Sequence, residues 1–222
     1  PGSQSWQEYK YGFGPDPSGL FAQGNFGIVT KMGFRLMPLP EYYRTGLITV
    51  PRRRDFVKLV EHVNYLSDSS LIGEAVYGSP LAALMGDKSF YALAPKVGGP
   101  SDAEMDAAAN KAGLPSWQVD LQLFGPEAAT RENWEYAKQR ILADIPGAKA
   151  IDGDHFPLPA TEEQLLNTTQ PYKTGIRRYG ALGVPSLGIW RIVSGNGHVG
   201  FFPVLPRSGE AVFEMQRAMC DG

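Results

Sequence analysis

The sequence predicts an α+β fold in which an antiparallel sheet carries its helices on one face. Residues Trp117 to Leu123 alternate between apolar and polar side chains, which is typical of a strand with one buried face. Apolar residues recur at helical spacing from Asp55 onward and again from Trp134 to Ile145, which indicates amphipathic helices. Strand–helix–strand modules therefore occur twice, at Tyr43 to Tyr77 and at Trp117 to Ile151, and they favour a layered domain.

The first predicted elements lie between residues 27 and 85. Gly27 to Met37 is predicted to be a strand that ends at Pro38, because proline cannot donate to a sheet ladder. Tyr43 to Val50 is a second predicted strand. Ser79-Pro80 provides a cap and a first-turn proline for a short helix over Leu81 to Met85. The helix that begins near residue 55 has one apolar face, formed by Phe56, Leu59, Val60, Val63 and Leu66.

The second half of the chain has clearer helix boundaries. Ser101 and Glu104 make a predicted capping box, in which each side chain accepts a hydrogen bond from a backbone N–H group, and Gly113 ends that helix. The helix that carries Trp134 ends at Pro146-Gly147. Three more elements are predicted, namely a short helix begun by Thr161 and Gln164, a strand from His198 to Val204, and a helix capped by Ser208 that carries Val212, Met215 and Met219.

Composition and charge exclude several classes of function. With 222 residues and a net charge of −2, the chain can bury a core but has no basic excess, so sequence-independent binding of nucleic acid is not expected. No apolar stretch is long enough to cross a bilayer, so a soluble protein of the cytoplasm or the periplasm is expected. Cys220 is the only cysteine, which excludes an internal disulfide and a cysteine-built metal site. Arg52 to Arg54, the one run of positive charge, is predicted to be a solvated helix start.

The histidines do not predict a metal site, because His62, His155 and His198 lie far apart and lack metal-ligand spacing. His62 is expected to be exposed on a helix face. His155 stands beside two aspartates, which would suit acid–base chemistry, but the glycine and proline of Asp152 to Pro157 favour a turn. His198 is expected to pack or hydrogen-bond inside its strand rather than to face an active-site cavity. No catalytic residue is predicted.

The segment from Gly24 to Thr30 is the best candidate for contact with a bound nucleotide. Gly24 and Gly27 let the main chain approach a ligand closely, because no Cβ atom intervenes. Ile28 and Val29 favour extended backbone, which can present N–H and C=O groups to a flat ring or a phosphate. Spacing alone favours a structural turn over a nucleotide contact, because isolated glycine-rich matches are unspecific.

Several longer sequence motifs connect the chain to a known family. In the first 38 residues they are Pro1-Gly2-Ser3, Trp6-Gln7, Tyr11-Gly12-Phe13-Gly14-Pro15, Gly19-Leu20-Phe21, Gln23, Asn25, Gly27-Ile28-Val29-Thr30-Lys31 and Leu36-Met37-Pro38. Weaker similarity continues at Gly86-Asp87-Lys88, Phe124-Gly125-Pro126, Ile145-Pro146-Gly147 and Gly197 to Val204. In these motifs the chain resembles the FAD-linked flavoprotein family of vanillyl-alcohol oxidase, p-cresol methylhydroxylase (4-cresol dehydrogenase) and eugenol oxidase.

The resemblance implies that the chain is the middle part of a longer protein, in which a split FAD-binding domain encloses a central cap domain over the flavin. Residues 1–38 would be the C-terminal remnant of the FAD-binding domain. Residues 39–222 would be the cap, or substrate domain, truncated at its C-terminus. The FAD contacts of this chain, mostly through backbone atoms, would come from Gly24, Asn25, Gly27, Ile28, Val29 and Thr30.

The resemblance also implies an activity for the full-length protein. Members of the family take a hydride from the benzylic carbon of a para-substituted phenol of the 4-cresol, vanillyl alcohol or eugenol type, and FAD carries the hard chemistry. Oxygen or a cytochrome would accept the electrons. Assembly into a homo-oligomer is also left open. The fragment alone is expected to be inactive. Two alternatives stay open: the cap of another FAD-linked oxidase that acts on hydroxy acids or alcohols, and a stand-alone, non-catalytic α+β module that binds a partner protein.

Overall fold

The computed structural model describes residues 15, 17–21, 26–31, 38–80, 100–167 and 204–221. Contacts between residues divide the chain into two units, Pro1–Leu39 and Pro40–Gly222. The first unit contains a short 3-10 helix, Pro17–Phe21, and residues 26–31 follow without regular secondary structure. The assignment of residues 1–38 to an FAD-binding domain stays a prediction.

The predicted strand from Gly27 to Met37 is wrong over residues 27–31, where the backbone forms no ladder. Ile28 is 93% exposed and Val29 is 54% exposed. A strand needs a neighbour, because its N–H and C=O groups must find partners, and the described part of the first unit contains no other strand. The β-branched side chains therefore did not suffice to fix the conformation. Residues 32–37 lie outside the described part of the chain.

The second unit contains an antiparallel sheet. Its strands in the described residues are β1 (Tyr42–Val50), β2 (Glu74–Gly78), β3 (Trp117–Gly125) and β4 (Lys149–Pro157). They lie in the order β2–β3–β1–β4, and each neighbouring pair is antiparallel. The predicted α+β class with an antiparallel sheet is thereby confirmed.

Helices accompany the strands at the predicted places. In the described residues they are α1 (Asp55–Asp68), α2 (Asp102–Ala112), α3 (Glu127–Asp144), α4 (Glu162–Asn167) and α5 (Gly209–Asp221). The capping box of α2 is confirmed, because Ser101 N–H donates to Glu104 at 2.9 Å and Glu104 N–H donates to Ser101 Oγ at 3.4 Å. Gly113 ends α2 in the left-handed region, at a φ of 66°.

The two C-terminal helices also begin as predicted. Thr161 and Gln164 exchange hydrogen bonds of 2.8 and 3.2 Å at the start of α4. Ser208 Oγ accepts a hydrogen bond from Ala211 N–H at 3.2 Å at the start of α5. The predicted short helix over residues 81–85 and the predicted strand over residues 198–203 lie outside the described residues. Across the parts that the structure describes, no helix combines the length and the apolar character needed to cross a membrane.

Helices α1 and α3 cover one face of the sheet, which we call the helix-covered face. The side chains of alternate residues meet there, and the register of β1 and β3 pairs them as Val50–Trp117, Ile48–Val119 and Gly46–Leu121. Phe56 of α1 stacks on Trp117, with ring centroids 4.3 Å apart. The predicted apolar stripes are buried in this core: Phe56, Leu59, Val60, Val63 and Leu66 of α1, with Trp134, Ala137, Ile141 and Ile145 of α3 and its end.

Gly46 marks the close approach of α3 to the sheet. Trp134 is 1% exposed and lies over Gly46, so that a Cβ atom on this glycine would overlap the indole ring. The indole N–H group donates a hydrogen bond to Asp152 Oδ1 on β4 at 2.5 Å. A single side chain therefore connects α3 to two neighbouring strands.

Residues 152–157, which were predicted to form a turn, are part of strand β4. The register pairs Arg44 with His155 and Gly46 with Asp152, so β4 carries one extra residue between these pairs and forms a β-bulge. Gly153 lies in the bulge, and a Cβ atom there would come within 2.8 Å of the Thr45 backbone oxygen. The glycine therefore marks a close backbone approach inside a strand and not a reversal of the chain.

The arginine run before α1 is solvated only at its ends. Arg52 is exposed and binds Asp55 in the first turn of α1 at 2.7 Å. Arg53 is 6% exposed, which contradicts the prediction for this residue. Its guanidinium group lies 4.9 Å above the ring of Trp117 and donates a hydrogen bond to Gln216 of α5 at 2.8 Å. The Asp102 carboxylate lies 3.6 Å from its Nε atom, so an ion pair, stacking and hydrogen bonding together offset the desolvation of this cation.

The close approach at Gly46 makes a test of the fold. We expect Gly46→Ala to lower the free energy of unfolding by about 1–3 kcal/mol, because the added methyl group overpacks the core against Trp134. The matched control is Gly78→Ala in β2, where the nearest atom to a new Cβ would be 3.7 Å away. The control is expected to be neutral or stabilised by up to about 1 kcal/mol. Urea denaturation of both variants measures the difference, and equal midpoints would contradict the described packing.

Candidate functional site

The predicted nucleotide-contact segment lies in the first unit. Gly24 and Asn25 fall outside the described residues. Its other members are exposed and lie outside any helix or strand, namely Gly27, Ile28, Val29 and Thr30. Gly27 lies against the 3-10 helix, and a Cβ atom there would be 3.1 Å from Phe21 Cε1. The contact of this segment with FAD stays a prediction.

The second face of the sheet, opposite α1 and α3, is closed at one end by aromatic and polar side chains. Tyr43 of β1 lies between Phe124 of β3 and Phe156 of β4, and its ring centroid is 5.3 Å from each of theirs. The adjacent row contains Thr45 and Gln122, which are register partners. Tyr43, Thr45 and Gln122 are each at most 2% exposed. Solvent therefore does not reach this end of the second face.

A groove lies on the second face beyond the closed end and crosses β3, β1 and β4. Its volume is about 290 Å³, which suits a small molecule or one end of a larger ligand. The apolar side chains of Leu47 and Ile151 form its walls, and Ile151 is 53% exposed. The bulge at Gly153 forms one edge. Among the residues that the structure describes, those lining the groove are Thr45, Leu47, Gln118, Asp120, Ile151, Asp152 and Gly153.

Polar side chains line the groove next to its apolar walls. Asp120 pairs in register with Leu47 on one side and with Val76 on the other, so its carboxylate stands between apolar side chains. Gln118 contributes an amide two residues away on the same face. Among the lining residues that the structure describes, the charged groups are the carboxylates of Asp120 and Asp152. Asp152 borders the groove, but its carboxylate lies on the helix-covered face, where Trp134 and Lys138 donate to it.

Asp152 connects the edge of the groove to the core on the helix-covered face. It accepts hydrogen bonds from Trp134 Nε1 at 2.5 Å and from Lys138 Nζ at 3.4 Å. The hydrogen bond from the indole and, after it, the charge of Lys138 lower the pKa of the Asp152 carboxyl below its ordinary value. The side chain is therefore ionised at neutral pH and held in place at the groove's edge.

His62 is not exposed as predicted, because its side chain is 13% exposed and packs between α1 and α3. Its Nε2 atom lies 3.0 Å from Asp144 Oδ2, and Lys58 Nζ donates to Asp144 Oδ1 at 2.8 Å. These hydrogen bonds, that of Lys58 first, lower the pKa of the Asp144 carboxyl. The three side chains join two helices away from the groove, which indicates a structural role.

A metal centre finds no support in the described ranges of the chain, where no group of three or more His, Cys, Asp or Glu side chains is arranged to hold an ion. His155 lies on β4, and its Nδ1 atom is 3.4 Å from the Gly153 carbonyl oxygen. His155 is therefore not brought together with a nucleophile or a second histidine in this part of the structure.

Sequence reasoning missed the groove. The alternation of β3 predicted a face towards water or a partner, but the neighbours of that face are set by pairing with β1 and β4. The glycine and proline around Gly153 then predicted a turn in place of strand β4, which supplies one wall of the groove. The usable signal was the row of polar residues on β3, which comprises Gln118, Asp120 and Gln122.

Comparison with known proteins identifies relatives of this chain. No protein-family model matches the sequence. The flavoprotein subunit of 4-cresol dehydrogenase (hydroxylating) from Pseudomonas putida is 29% identical over 218 residues, which cover 94% of this chain and 39% of that protein. The 1'-carboxy-chondrochloren decarboxylase of Chondromyces crocatus is 44% identical over 43 residues, which cover 19% of this chain and 8% of that protein.

Two solved structures share the fold. The crystal structure of p-cresol methylhydroxylase with substrate bound matches with a TM-score of 0.56 and 27% identity, over 78% of this chain and 32% of that one. The 4-ethylphenol oxidase from Gulosibacter chungangensis in its isoeugenol complex matches with a TM-score of 0.66 and 26% identity, over 100% of this chain and 42% of that one.

The α+β sheet and these similarities relate the chain to proteins named as a flavoprotein subunit of a dehydrogenase and as a phenol oxidase. More particularly, the predicted resemblance to the family of vanillyl-alcohol oxidase and p-cresol methylhydroxylase is confirmed by these similarities. The chain spans less than half of the length of each of these relatives. The activity, substrate and partners of the whole protein are therefore matters for proposal.

The lowered pKa of Asp152 predicts a pH dependence. Its ionised form stabilises the fold at pH values above the ordinary aspartate pKa of about 3.9, and this contribution is lost as the pH falls through the lower folded-state pKa. Asp152→Asn removes the titration. We expect the difference in unfolding free energy between the parent chain and this variant to be largest near neutral pH and to shrink below roughly pH 4.

Urea denaturation between pH 3 and pH 7 measures this difference. The matched control is Asp68→Asn, because Asp68 is about as exposed as Asp152, at 62% against 67%, but its partner is the exposed Arg207 and not a buried indole, so its ion pair is expected to contribute little to stability. If the difference in unfolding free energy between the parent chain and Asp152→Asn stayed constant over this pH range, the charge of Asp152 would not be what stabilises the fold.

Proposed function

We propose that this chain is the cap-containing middle part of an FAD-dependent oxidoreductase that takes a hydride from the benzylic carbon of para-substituted phenols. The observation that carries the proposal is the similarity over 94% of the chain to the flavoprotein subunit of 4-cresol dehydrogenase. The similarity to 4-ethylphenol oxidase, which extends over 100% of the chain, supports it. The two relatives have in common a phenol with a substituent in the para position, which is the substrate class that we propose.

In this proposal, the second face of the sheet forms one wall of the phenol site. The described part of the helix-covered face is filled by its own side chains, since Trp134 and Leu59 are at most 1% exposed. The second face carries the groove, with apolar walls for a hydrocarbon skeleton. Apolar groups bind each other by removing surface from water, so a wall of this kind holds an aromatic substrate and excludes solvent from it.

The described part of the predicted FAD segment fits a flavin contact. Residues 27–30 are exposed and lie outside any helix or strand, which suits a contact through backbone atoms. Ile28 presents an apolar side chain that is 93% exposed, which suits contact with a flat ring. FAD, when bound, accepts the hydride. The role of these residues is to position the cofactor, and no catalytic side chain is assigned among the described residues.

The electron acceptor is open between oxygen and a partner protein. One relative is named as a flavoprotein subunit of a dehydrogenase, which indicates a second polypeptide in that protein, and another is named as an oxidase. We propose that the complete protein containing this chain uses one of these two routes, with a cytochrome as the partner in the first. The two remaining alternatives are an FAD-linked oxidase for hydroxy acids or alcohols and a non-catalytic binding module. Similarity to two phenol-oxidising proteins favours phenols over both.

The proposal predicts different properties for the complete protein and for this chain alone. The complete protein is expected to retain about one flavin per polypeptide after desalting and to oxidise 4-alkylphenols with an artificial electron acceptor. The chain of 222 residues alone is expected to be colourless and inactive, because a single wall cannot bury most of a ligand. Visible spectra and an acceptor-reduction assay measure both properties. A complete protein without flavin would overturn the proposed function, and turnover by the chain alone would overturn its placement as a middle part.

The FAD segment has a separate test in the complete protein. Gly27→Ala brings a methyl group to 3.1 Å from Phe21, so the backbone or the ring must move. We expect flavin to bind about tenfold more weakly, which corresponds to about 1.4 kcal/mol. The matched control is Gly19→Ala, where a new Cβ would have nothing within 4 Å. Equal flavin content in the two purified variants would argue against a flavin contact at Gly27.

A further inference from the structure

Two tyrosines and one arginine form an exposed cluster where helices α1 and α3 lie side by side. Tyr65 of α1 is 43% exposed, and Tyr136 of α3 is 39% exposed. Arg140 follows Tyr136 by four residues, so their side chains stand on the same side of α3. We call these three residues the Tyr–Arg patch. Because α1 and α3 cover one face of the sheet and the groove lies on the other, the patch is separate from the groove.

The patch holds its arginine in one orientation. The Arg140 guanidinium group lies over the ring of Tyr65, 3.9 Å from the ring centroid, and the hydroxyl oxygens of Tyr65 and Tyr136 are 3.5 Å apart. Stacking on an aromatic ring fixes the plane of a guanidinium group. Side-chain freedom that is already lost in the unbound protein is not lost again on binding. The guanidinium group is therefore preorganised to meet a planar acceptor.

The charge of Arg140 is not matched by a carboxylate. Arg140 forms no ion pair with the residues that the structure describes, whereas the other two cations of α3 each pair with a glutamate. Its Nε atom is buried and has no hydrogen-bond acceptor in this part of the structure. Asp144, one turn further along α3, is bound by Lys58 and His62. The charge of Arg140 is therefore available to a carboxylate from elsewhere.

We infer that the Tyr–Arg patch is a docking surface for an acidic segment of a partner polypeptide. In this contact, an aspartate or glutamate carboxylate of the partner accepts hydrogen bonds from the Arg140 guanidinium group. An apolar side chain beside that carboxylate packs on the exposed parts of the Tyr65 and Tyr136 rings. The guanidinium fork matches the two oxygens of a carboxylate, and tyrosine and arginine are enriched among the residues that dominate binding at protein interfaces.

Charge and ring surface together favour an acidic polypeptide over other occupants. The chain has a net charge of −2, so an acidic partner is repelled by the chain as a whole and is attracted where a cation is unpaired. An exposed ion pair alone contributes little free energy, so apolar contacts with the tyrosine rings have to supply the rest of the affinity. A small inorganic anion makes no such contacts, whereas a polypeptide presents both kinds of side chain.

The experiment uses the complete protein and a dye-labelled synthetic peptide of alternating glutamate and leucine, whose binding is measured by fluorescence anisotropy. Arg140→Gln is expected to weaken peptide binding at least about tenfold, because the guanidinium fork that binds the carboxylate is lost. Tyr65→Leu keeps an apolar side chain but removes the ring that orients Arg140, and it is expected to weaken binding at least about threefold.

The matched control is Arg131→Gln, because Arg131 is a 56% exposed cation of the same helix and pairs with Glu132. It is expected to change peptide binding less than about twofold. Thermal unfolding midpoints of the variants and the parent protein separate a loss of binding from a loss of folding. If Arg140→Gln did not fold, the comparison of Tyr65→Leu with the control would decide the test.

Three results would each overturn the inference. The first is the absence of peptide binding to the parent protein at about 1 mM peptide. The second is equal weakening by the patch variants and by Arg131→Gln, because it would show a general attraction of charges. The third is displacement of the peptide by an equal concentration of inorganic phosphate, which would show a site for free anions. These measurements need neither bound flavin nor turnover, so their outcome is independent of the proposed function.

Discussion

The contact between Trp134 and Gly46 is the constraint on which the sheet and its helices depend. Trp134 comes from α3, lies over β1 where the sheet has no side chain, and donates its indole hydrogen bond to Asp152 of β4. Removing a buried tryptophan side chain from a core costs about 3–5 kcal/mol, which is a large part of the stability of an ordinary domain. The same contact fixes the edge of the groove, because Asp152 is one of its lining residues.

The two faces of the sheet have different roles in the proposed function. On the helix-covered face, aromatic and aliphatic side chains fill the space between β1, β3 and the two helices. On the second face, a closed aromatic end gives way to a groove that is partly open to solvent. Strands alternate their side chains between faces, so the same short segments build both. In the proposed function, a residue's place in this alternation thus determines whether a substitution acts on the folded core or on the wall of the phenol site.

Local signals in the sequence were enough for most helices, and non-local contacts decided the rest. The capping box of Ser101 and Glu104 lies within one helical turn, so it was predictable from spacing. The burial of Arg53 depends on Trp117 and Gln216, which are distant in sequence. The position of His62 likewise depends on Asp144 of another helix. The groove was not predictable, because it forms only when strands β1, β3 and β4 pair. The family resemblance indicated a candidate FAD segment, Gly24 to Thr30, but it did not indicate the groove.

The bulge in β4 also determines how that strand is aligned with β1. A slip of one residue turns every side chain of a strand to the opposite face, which would place Ile151 against Trp134 and aim Asp152 away from the indole. The extra residue of the bulge tolerates no Cβ atom beside the Thr45 carbonyl, and Gly153 meets that requirement. The observed pairing of β4 with β1 places Gly153 beside the Thr45 carbonyl and Asp152 beside the Trp134 indole at the same time. Two adjacent residues, Asp152 and Gly153, therefore favour this register of β4 over one shifted by a residue.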